Sequence, residues 1–460
     1  MKKFVLPLLS VPVMMACTHN SGFTGAAGEI KLITLDPGHF HAALVQKTMY
    51  PQVNPVVYVY APEGDELEQH LLKIEAYNSR QDNPTHWEER VYRGNDFLQK
   101  MLREKKGNVV VLAGNNRKKT EYIKACVQAG LNVLSDKPMA INSQAFETLK
   151  EAFAVAARNH VLLYDIMTER YEVTTMLQRR FSQMPEIFGS LQQGTPDNPA
   201  VTKISVHHFS KMVSGMPLKR PAWFFDVEQQ GEGIVDVTTH LVDLIQWECF
   251  PEKIIDYQKD IVMISARRWP TILTPSQFKE VTHLEHYPEF LKKDTKDSLL
   301  YVYANGEMNY TLFGVHAKVS VEWHFKAPAG GGDTHFSVMR GTKASLCIRQ
   351  GEEQHYVPVL YIEPAESTDI NELEKNIAGA ISSLQKEFPG IGVKKLDRAF
   401  EITVPDSLRT SHEQHFGQVT EKYLKFLTEG RLPEWEVPNM IAKYFTTTKA
   451  LDMARNNSEK

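Results

Sequence analysis

Cysteine is scarce in this chain, with four among 460 residues, at positions 17, 126, 249 and 347. The last three are far apart, and no Cys-x-x-Cys pair occurs, so we expect neither a disulfide framework nor a zinc site of that kind. The 17 histidines form no His-Glu-x-x-His motif and no paired spacing that requires zinc. The sequence therefore predicts no metal site.

Long apolar runs and basic tracts are also lacking. Beyond residue 16, no segment approaches the ~18 consecutive apolar residues of a membrane-spanning helix. The net charge is −4 without a basic cluster, so nucleic acid is not an expected partner. A length of 460 residues exceeds one typical hydrophobic core and predicts two domains.

The first residues resemble an export signal. Lys2 and Lys3 precede an apolar run over 4–15, and Ala16-Cys17 follows, as at a bacterial lipoprotein cleavage site. We expect residues 1–16 to be removed, Cys17 to be lipidated, and residues 17–28 to form a tether. A plain secretory signal with a chance cysteine is the alternative. The expected location is the cell envelope, lipid-anchored to a membrane and facing the periplasm, because no acidic run follows Cys17.

Strands and helices alternate from residue 29 to 165. Apolar, β-branched segments predict strands at 30–35, 55–60, 109–113, 132–135 and 160–165. Helical periodicity predicts helices after the first strand and at 64–80, 117–129 and 143–158, the last opened by an Asn142-Ser143 cap. This alternation predicts an α/β fold, with an N-terminal Rossmann-type domain built on a parallel sheet.

Residues 166–460 follow a different pattern. Strands are predicted at 202–208, 259–265, 297–303, 308–314, 316–326, 334–340 and 344–349, several of them alternating apolar and polar residues. Helices are predicted at 236–248, 370–387, 410–429 and 437–455. The second domain is therefore expected to be an α+β domain with a large, mostly antiparallel sheet that binds substrate.

Three stretches carry a resemblance to a known family. Residues 109–140 contain a strand, a helix ending in Ala-Gly, and a strand ending in Asp136-Lys137-Pro138. Residues 231–244 form a glycine-rich entry to a helix that carries Asp236, His240 and Asp243, and Gly341 opens a short Gly-Thr turn. In order and spacing these stretches resemble the Gfo/Idh/MocA oxidoreductases.

The resemblance implies a nicotinamide cofactor, NAD or NADP. It places the cofactor against the turn after the first strand and against the ends of two later strands, at Gly38, His39, Phe40, Gly114, Asn115, Asn116, Asp136 and Lys137. The first of these turns departs from the dinucleotide pattern Gly-x-Gly-x-x-Gly. Its slots read Asp36, Gly38 and His41. Loss of cofactor binding is therefore the alternative, although a helix N-terminus after this turn would still favour an anion.

The catalytic residues implied by the resemblance are Lys137, His240 and Asp236. Lys137 would hydrogen-bond a substrate oxygen, with a solvated surface lysine as the alternative. Asp236 and His240 are four residues apart and would share a helix face, so the carboxylate would orient the imidazole as a proton acceptor. The alternative is a buried helix histidine satisfied by Asp236.

Further residues are expected on the substrate side of the cleft: Arg170, His208, Trp223 and Asp243. Residues 330–335 (Gly-Gly-Gly-Asp-Thr-His) are either a substrate loop, a metal-assisted corner or a mobile hairpin.

The expected activity is oxidation or reduction of a hydroxyl on a sugar, glycoside or cyclitol. Because free cofactor is scarce outside the cytoplasm, the cofactor is expected to be tightly bound and recycled. A redox-neutral glycosidase would use it in that way, and a carbohydrate-binding lipoprotein without cofactor is the alternative from another class. A homo-oligomer is consistent with the large sheet.

Overall fold

The computed structural model describes residues 22–213 and 216–458. The predicted signal and Cys17 lie outside the described residues. Within them, no helix has the length and apolar character needed to cross a membrane.

A six-stranded parallel sheet forms the first domain. Its strands are β1 (Leu32–Leu35), β2 (Val56–Ala61), β3 (Glu88–Arg93), β4 (Val109–Leu112), β5 (Asn132–Asp136) and β6 (Leu163–Ile166). Their order is β3-β2-β1-β4-β5-β6, with every pair parallel. This is the doubly wound arrangement, in which the order reverses between β1 and β4 and leaves a crevice at the carboxyl ends of the strands.

The helices of this domain are α1 (His41–Leu44), α2 (Asp65–Ser79), α3 (Phe97–Glu104), α4 (Lys119–Gln128) and α5 (Ser143–Arg158). The Asn142 side chain caps α5 by accepting from the amide of Ala145, as predicted. Helix α1 is a single turn, so the prediction that the helical pattern from Ala42 to Met49 forms one helix is wrong. The amides of Gln46 and Lys47 donate to carbonyls only three residues back, which tightens the chain and ends the helix.

The second domain contributes the remaining elements. Its helices are α6 (Val173–Ser182), α7 (Val227–Gln230), α8 (Thr238–Cys249), α9 (Pro275–Thr282), α10 (Ile370–Leu384), α11 (His412–Glu429) and α12 (Glu436–Ser458). Its strands are β7 (Val201–Ser210), β8 (Met212–Val213), β9 (Met216–Pro217), β10 (Ile261–Leu273), β11 (Thr295–Lys296), β12 (Leu299–Leu312), β13 (Val315–Lys326), β14 (Thr334–Arg340), β15 (Ala344–Arg349), β16 (Val359–Pro364), β17 (Gly392–Lys395) and β18 (Phe400–Thr403).

Ten of these strands form one mixed sheet. The order is β10-β12-β13-β7-β14-β15-β16-β18-β17, with β11 paired to β12. Strands β13 and β7 are parallel, and the other pairs are antiparallel. The predicted fold class, a Rossmann-type domain followed by a mostly antiparallel sheet, is confirmed.

Strand β12 runs unbroken through residues 304–307, where the sequence predicts a gap between two strands. Gly306 explains the difference. A Cβ at this position would lie 2.6 Å from the Cβ of Ile234, so glycine lets the turn before α8 pack directly on the strand.

The last two helices return to the first domain. Phe416 and Tyr423 of α11 and Tyr444 of α12 belong to the same buried core as the strands of the parallel sheet. The rings of Tyr164 and Tyr423 stack with 6.1 Å between their centroids. The C-terminal segment therefore completes the core of the N-terminal sheet.

Candidate active site

A crevice of about 340 Å³ lies at the carboxyl ends of β1, β2 and β4. We call it the β1–β2 crevice. Its walls are the turn after β1, the loop from β2 into α2, the start of α4 and part of the second domain: Asp36, Pro37, Gly38, Ala61, Pro62, Glu63, Gly64, Glu66, Leu67, Asn115, Arg117, Lys118, Tyr122, Trp223 and Gln229.

Two glycines let the backbone turns meet at the floor of this crevice. A Cβ on Gly114 would lie 2.2 Å from the carbonyl oxygen of Asp36 and 2.8 Å from the amide nitrogen of Gly38. A Cβ on Gly38 would lie 3.4 Å from Trp223 Cζ2. The turn after β1 therefore fits against the turn after β4 only because Gly114 has no side chain.

The turn after β1 differs from a glycine-rich phosphate loop. The amide of His39 donates to the carbonyl of Ala113 at 3.1 Å, so it does not point into the crevice. Helix α1 has only four residues, so its dipole is small. The N-terminus of α1 therefore contributes little to the anion site expected after β1.

Asp36 occupies the first position of this turn in a left-handed conformation with φ of 49°. Burial, reinforced by the carboxylate of Glu66, raises the pKa of Asp36 to about 6, although Tyr122 and Lys118 oppose the shift. A carboxylate in this crevice therefore titrates close to neutral pH.

A larger cavity of about 1250 Å³ opens beside the crevice. We call it the central cleft. It lies between the two domains and the N-terminal end of α11, and its walls include predicted site residues from both domains: His39, Phe40, Gly114, Asn116, Asp136, Lys137, Asp236 and His240.

Lys137 and Asp236 form an ion pair in this cleft. The Lys137 Nζ lies 2.6 Å from Asp236 Oδ1, and the Gln230 side-chain amide donates to the other carboxylate oxygen at 3.0 Å. The ammonium group is thus fixed in direction by a buried carboxylate that is itself held by an amide.

His240 is not oriented by Asp236, so the expectation of a paired carboxylate and imidazole is wrong. Helix α8 begins at Thr238, which leaves Asp236 in the preceding turn. Nδ1 of His240 is buried and has no hydrogen-bond partner among the described residues. Burial, and then the nearby charges of Lys137 and His412, hold the pKa of His240 well below its usual value. The imidazole is therefore neutral near pH 7.

His39, His41 and Asp136 converge at the inner end of the cleft. Nδ1 of His41 lies 3.0 Å from Asp136 Oδ2, and Nδ1 of His39 lies 3.3 Å from the same oxygen. Burial lowers the pKa of both imidazoles, so both are neutral near pH 7. The sequence places His39 and Asp136 near the cofactor but gives no sign of their mutual contact.

A second cluster of ionisable residues, centred on Asp333, lines the same cleft. Asp333 accepts from the amide of His208 at 3.0 Å, lies 3.1 Å from Nδ1 of His207, and forms an ion pair with Lys211. Burial opposes ionisation, but His207, His208 and Lys211 lower the pKa of Asp333 well below its usual value. The Gly-rich segment 330–335 thus lines the cleft with an ionised carboxylate.

Glu169 lines the same cleft and was not singled out by the sequence. Burial, then the charge of Glu172, raises the pKa of Glu169 to about 7, against the opposing charge of Lys137. A carboxyl group with this pKa is suited to proton transfer.

Two predicted substrate residues are buried away from the cleft. Arg170 donates from Nε and Nη2 to the two oxygens of Asp243, each at 2.7 Å, and from Nη1 to Glu436 at 3.0 Å. Lys443 also donates to Asp243 at 2.9 Å. The assignment of Arg170 and Asp243 to substrate is therefore wrong, because each is already paired inside a buried ionic network.

The other two predicted substrate residues need smaller corrections. Trp223 lies on the wall of the β1–β2 crevice, and its neighbour Phe224 lines the central cleft instead. His208 is buried behind Asp333, and His207 reaches the cleft.

Asn115 and Asn116 connect the two cavities. The Asn115 side-chain amide donates to Gln229 Oε1 at 2.7 Å, and the Asn116 side-chain amide donates to the carbonyl of Gln230 at 2.7 Å. These bonds hold a segment of the second domain beside the carboxyl edge of the parallel sheet.

Comparison with known proteins decides the family. Residues 37–164 match the model described as "Oxidoreductase family, NAD-binding Rossmann fold", and residues 177–455 match the model described as "Putative oxidoreductase C terminal domain". A crystal structure of an oxidoreductase from Parabacteroides merdae is 58% identical, with a TM-score of 0.93, and covers 95% of this chain and 99% of its own.

The chain belongs to the Gfo/Idh/MocA oxidoreductase family. The family assignment predicted from the three motifs is confirmed.

More distant structures share the fold. Levoglucosan dehydrogenase in complex with NADH and levoglucosan is 13% identical, with a TM-score of 0.59, and covers 93% of this chain and 97% of its own. A 3-ketoreductase from Actinomadura kijaniata, bound to NADP and TDP-benzene, is 13% identical with a TM-score of 0.53, at coverages of 93% and 97%. No curated protein sequence matches the chain.

This member of the family is an oxidoreductase, and its cofactor is NAD or NADP. The residues present fit such a cofactor. Gly38 and Ala61 leave open space at the carboxyl ends of β1 and β2, and Gly114 and Asn116 line the adjoining part of the central cleft. Asp36 and His41, which replace two glycines of the dinucleotide pattern Gly-x-Gly-x-x-Gly, alter the turn after β1 but leave the crevice open.

Proposed function

We propose that this oxidoreductase acts on a hydroxyl or ketone group of a sugar, glycoside or cyclitol bound in the central cleft. The observation that carries the proposal is the convergence of Lys137, His240 and Glu169 in one cavity beside the β1–β2 crevice. A cleft of about 1250 Å³ has room for more than one sugar ring beside a nicotinamide. The levoglucosan dehydrogenase and the 3-ketoreductase with the same fold support carbohydrate as the substrate class.

The cofactor supplies hydride transfer when it is bound. The protein has to hold the substrate oxygen and move its proton. Lys137, directed by Asp236, donates a hydrogen bond to that oxygen and stabilises negative charge on it. Glu169, with a pKa of about 7, is suited to accept the hydroxyl proton, and the neutral imidazole of His240 provides a second acceptor in the same cleft.

The crevice favours NAD over NADP. Glu63 and Glu66, in the loop after β2, bring two carboxylates to its walls, and carboxylates in that position accept from ribose hydroxyls but repel a 2′-phosphate. The guanidinium of Arg117, which could bind that phosphate, lies 3.3 Å from Asp226 and 3.4 Å from Glu228.

We further propose that the cofactor is tightly bound and recycled within each catalytic cycle. The bonds of Asn115 and Asn116 to residues 229–230 hold the second domain beside the crevice and would slow release. Such retention suits the exported lipoprotein that residues 1–17 suggest, lipid-anchored through Cys17 in the cell envelope. Apolar side chains on edge strand β10, namely Val262, Ile264 and Ile272, are exposed and would suit self-association.

The first experiment is denaturing release of small molecules from purified protein, followed by mass spectrometry. We expect NAD(H) close to one molecule per chain. The loaded protein would then be mixed with a panel of sugars and glycosides while nicotinamide absorbance is followed. A protein that retains no cofactor, and whose melting temperature does not respond to added NAD or NADP, would contradict tight binding. Bound cofactor that no carbohydrate reduces or oxidises would contradict the substrate class.

Substitution of Lys137 tests the catalytic assignment. For Lys137→Met we expect kcat/KM to fall by about 10²–10⁴ while the cofactor is retained, because the variant loses the hydrogen bond to the reacting oxygen. Lys425→Met, at an exposed lysine on α11, is the matched control and should keep full activity. A variant at position 137 with unchanged kcat/KM would show that this lysine only neutralises Asp236.

A further inference from the structure

His39, His41 and Asp136 form a cluster whose donor atoms are close enough to share one metal ion. One donor atom from each residue lies within 4.8 Å of the other two. The Asp136 Oδ2 atom is 3.0 Å and 3.3 Å from the two Nδ1 atoms. Ligands at 2.0–2.1 Å from a tetrahedral ion are separated by about 3.3–3.4 Å, so these distances need little adjustment to enclose a metal.

Hydrogen bonding within the cluster leaves one nitrogen unexplained. His41 Nδ1 makes a hydrogen bond to Asp136 Oδ2, but His39 Nδ1, which approaches the same oxygen, is buried and has no hydrogen-bond partner among the described residues. The rings of His39 and His41 are nearly perpendicular, with centroids 4.0 Å apart, so the two nitrogens approach the carboxylate from different directions. A buried polar atom without a partner destabilises the folded state unless something binds it.

The surroundings place the cluster at a functional surface. All three residues line the central cleft, as do Lys137 and His240. The charge of Lys137 is neutralised by Asp236, and Lys119 donates to the backbone carbonyl of Asp136 at 3.2 Å rather than to its carboxylate. His412 packs near His41, with ring centroids 5.3 Å apart. The carboxylate of Asp136 is therefore left to the two imidazoles.

We propose that His39, His41 and Asp136 bind one divalent first-row transition-metal ion, with Zn²⁺ as the first candidate, at the inner end of the central cleft. Two neutral imidazoles and one carboxylate are a ligand set that suits zinc and its neighbours in the first row. Three protein ligands leave at least one position for a water molecule or a substrate oxygen. The ion would bind an oxygen of a hydroxyl or ketone substrate and polarise it, next to the ammonium of Lys137.

The test is metal binding by the complete purified protein, measured without reference to activity. After treatment with a chelator, the protein is titrated with Zn²⁺ against a chromophoric chelator and, separately, with Co²⁺. We expect one equivalent of Zn²⁺ to bind and one equivalent of Co²⁺ to give visible d–d bands without sulfur-to-metal charge transfer. Protein that binds neither ion at micromolar concentration would overturn the proposal.

Variants locate the site. Asp136→Asn keeps the shape of the side chain, and His39→Ala removes a partly exposed ring; each should weaken Co²⁺ binding at least tenfold. His355→Asn is the matched control, because His355 is exposed and has a φ of 53° that asparagine tolerates. Equal affinity in all variants would place any bound ion elsewhere and overturn the assignment. NAD binding to chelator-treated protein, measured by thermal shift, separates failure of the metal site from failure of the proposed oxidoreductase site.

Discussion

At the scale of single residues, the pKa of Asp36 is a property that the sequence could not supply. The sequence shows a carboxylate in place of a glycine, but the shift to about 6 arises from burial and from Glu66, which is thirty positions away. The same holds for Glu169, whose pKa depends on its position in the cleft and on Glu172. Residue type is readable from sequence, whereas solvation and neighbouring charge depend on the fold.

The raised pKa of Asp36 predicts that cofactor binding depends on pH. Its folded pKa is raised from 3.8 to about 6, so ionisation disfavours the folded state, and this cost develops as the pH rises from 4 through 6. The ionised group also repels the phosphates of a dinucleotide. We expect Asp36→Asn to bind NAD more tightly than the natural protein at pH 8, and with similar affinity at pH 5.

Calorimetric titration at the two pH values measures this effect, and thermal unfolding at the same values measures stability. The asparagine tolerates the φ of 49° at this position. Its melting temperature should exceed that of the natural protein at pH 8 but not at pH 4.5. Parallel pH profiles for both proteins would show that Asp36 does not set the dependence.

At the scale of elements, strands with continuous apolar residues were predicted well because burial on both faces leaves a clear signal. Strand β3 (Glu88–Arg93) was missed since it is a polar edge strand whose side chains are mostly exposed or half-buried. The start of α8 was placed two residues early, and that error produced the wrong pairing of Asp236 with His240. A shift of two residues turns a helical side chain to another face, so site geometry is more sensitive to boundaries than fold class is.

Gly114 joins two elements, and its replacement should disrupt both. In Gly114→Ala the new Cβ would meet the carbonyl of Asp36 at 2.2 Å, and backbone cannot yield as a flexible side chain does. We expect the free energy of unfolding to fall by about 3 kcal/mol and NAD binding to weaken.

Gly379→Ala in α10 is the control for Gly114→Ala, because nothing lies within 4 Å of the added Cβ. That variant should be stabilised by roughly 0.5–1 kcal/mol through helix propensity. Denaturant unfolding of both variants measures the difference. Equal stability of Gly114→Ala and the natural protein would mean that the two turns move apart freely.

At the scale of the whole molecule, a buried ionic network joins segments that are remote in sequence. Asp243 of α8 binds Arg170 and Lys443, which lie 73 and 200 positions away, and Lys443 also lies 2.7 Å from Asp165 on β6. Arg170 and Asp243 were assigned to substrate because the family resemblance places a substrate-side loop after β6 and an acidic residue at position 243. Besides pairing with each other, they gain Glu436 and Lys443 as partners when α12 returns to the first domain.

The ion pairs of Asp243 predict that the two domains unfold together. Burial opposes its ionisation, but Arg170 and Lys443 lower the pKa of Asp243 well below its usual value. Its contribution to stability is therefore present above the unfolded pKa of about 4 and is lost as the pH falls below that value. We expect Asp243→Asn to lower the free energy of unfolding at pH 7 by roughly 3 kcal/mol, because two buried cations each lose one of their two carboxylate partners. The control variant Glu429→Gln, at an exposed ion pair on α11, should change the free energy of unfolding by less than about 0.5 kcal/mol.

Calorimetry distinguishes the outcomes. A single transition at a lowered temperature would show that the network couples both domains. An unchanged first transition in Asp243→Asn would mean that the parallel sheet unfolds independently of α12.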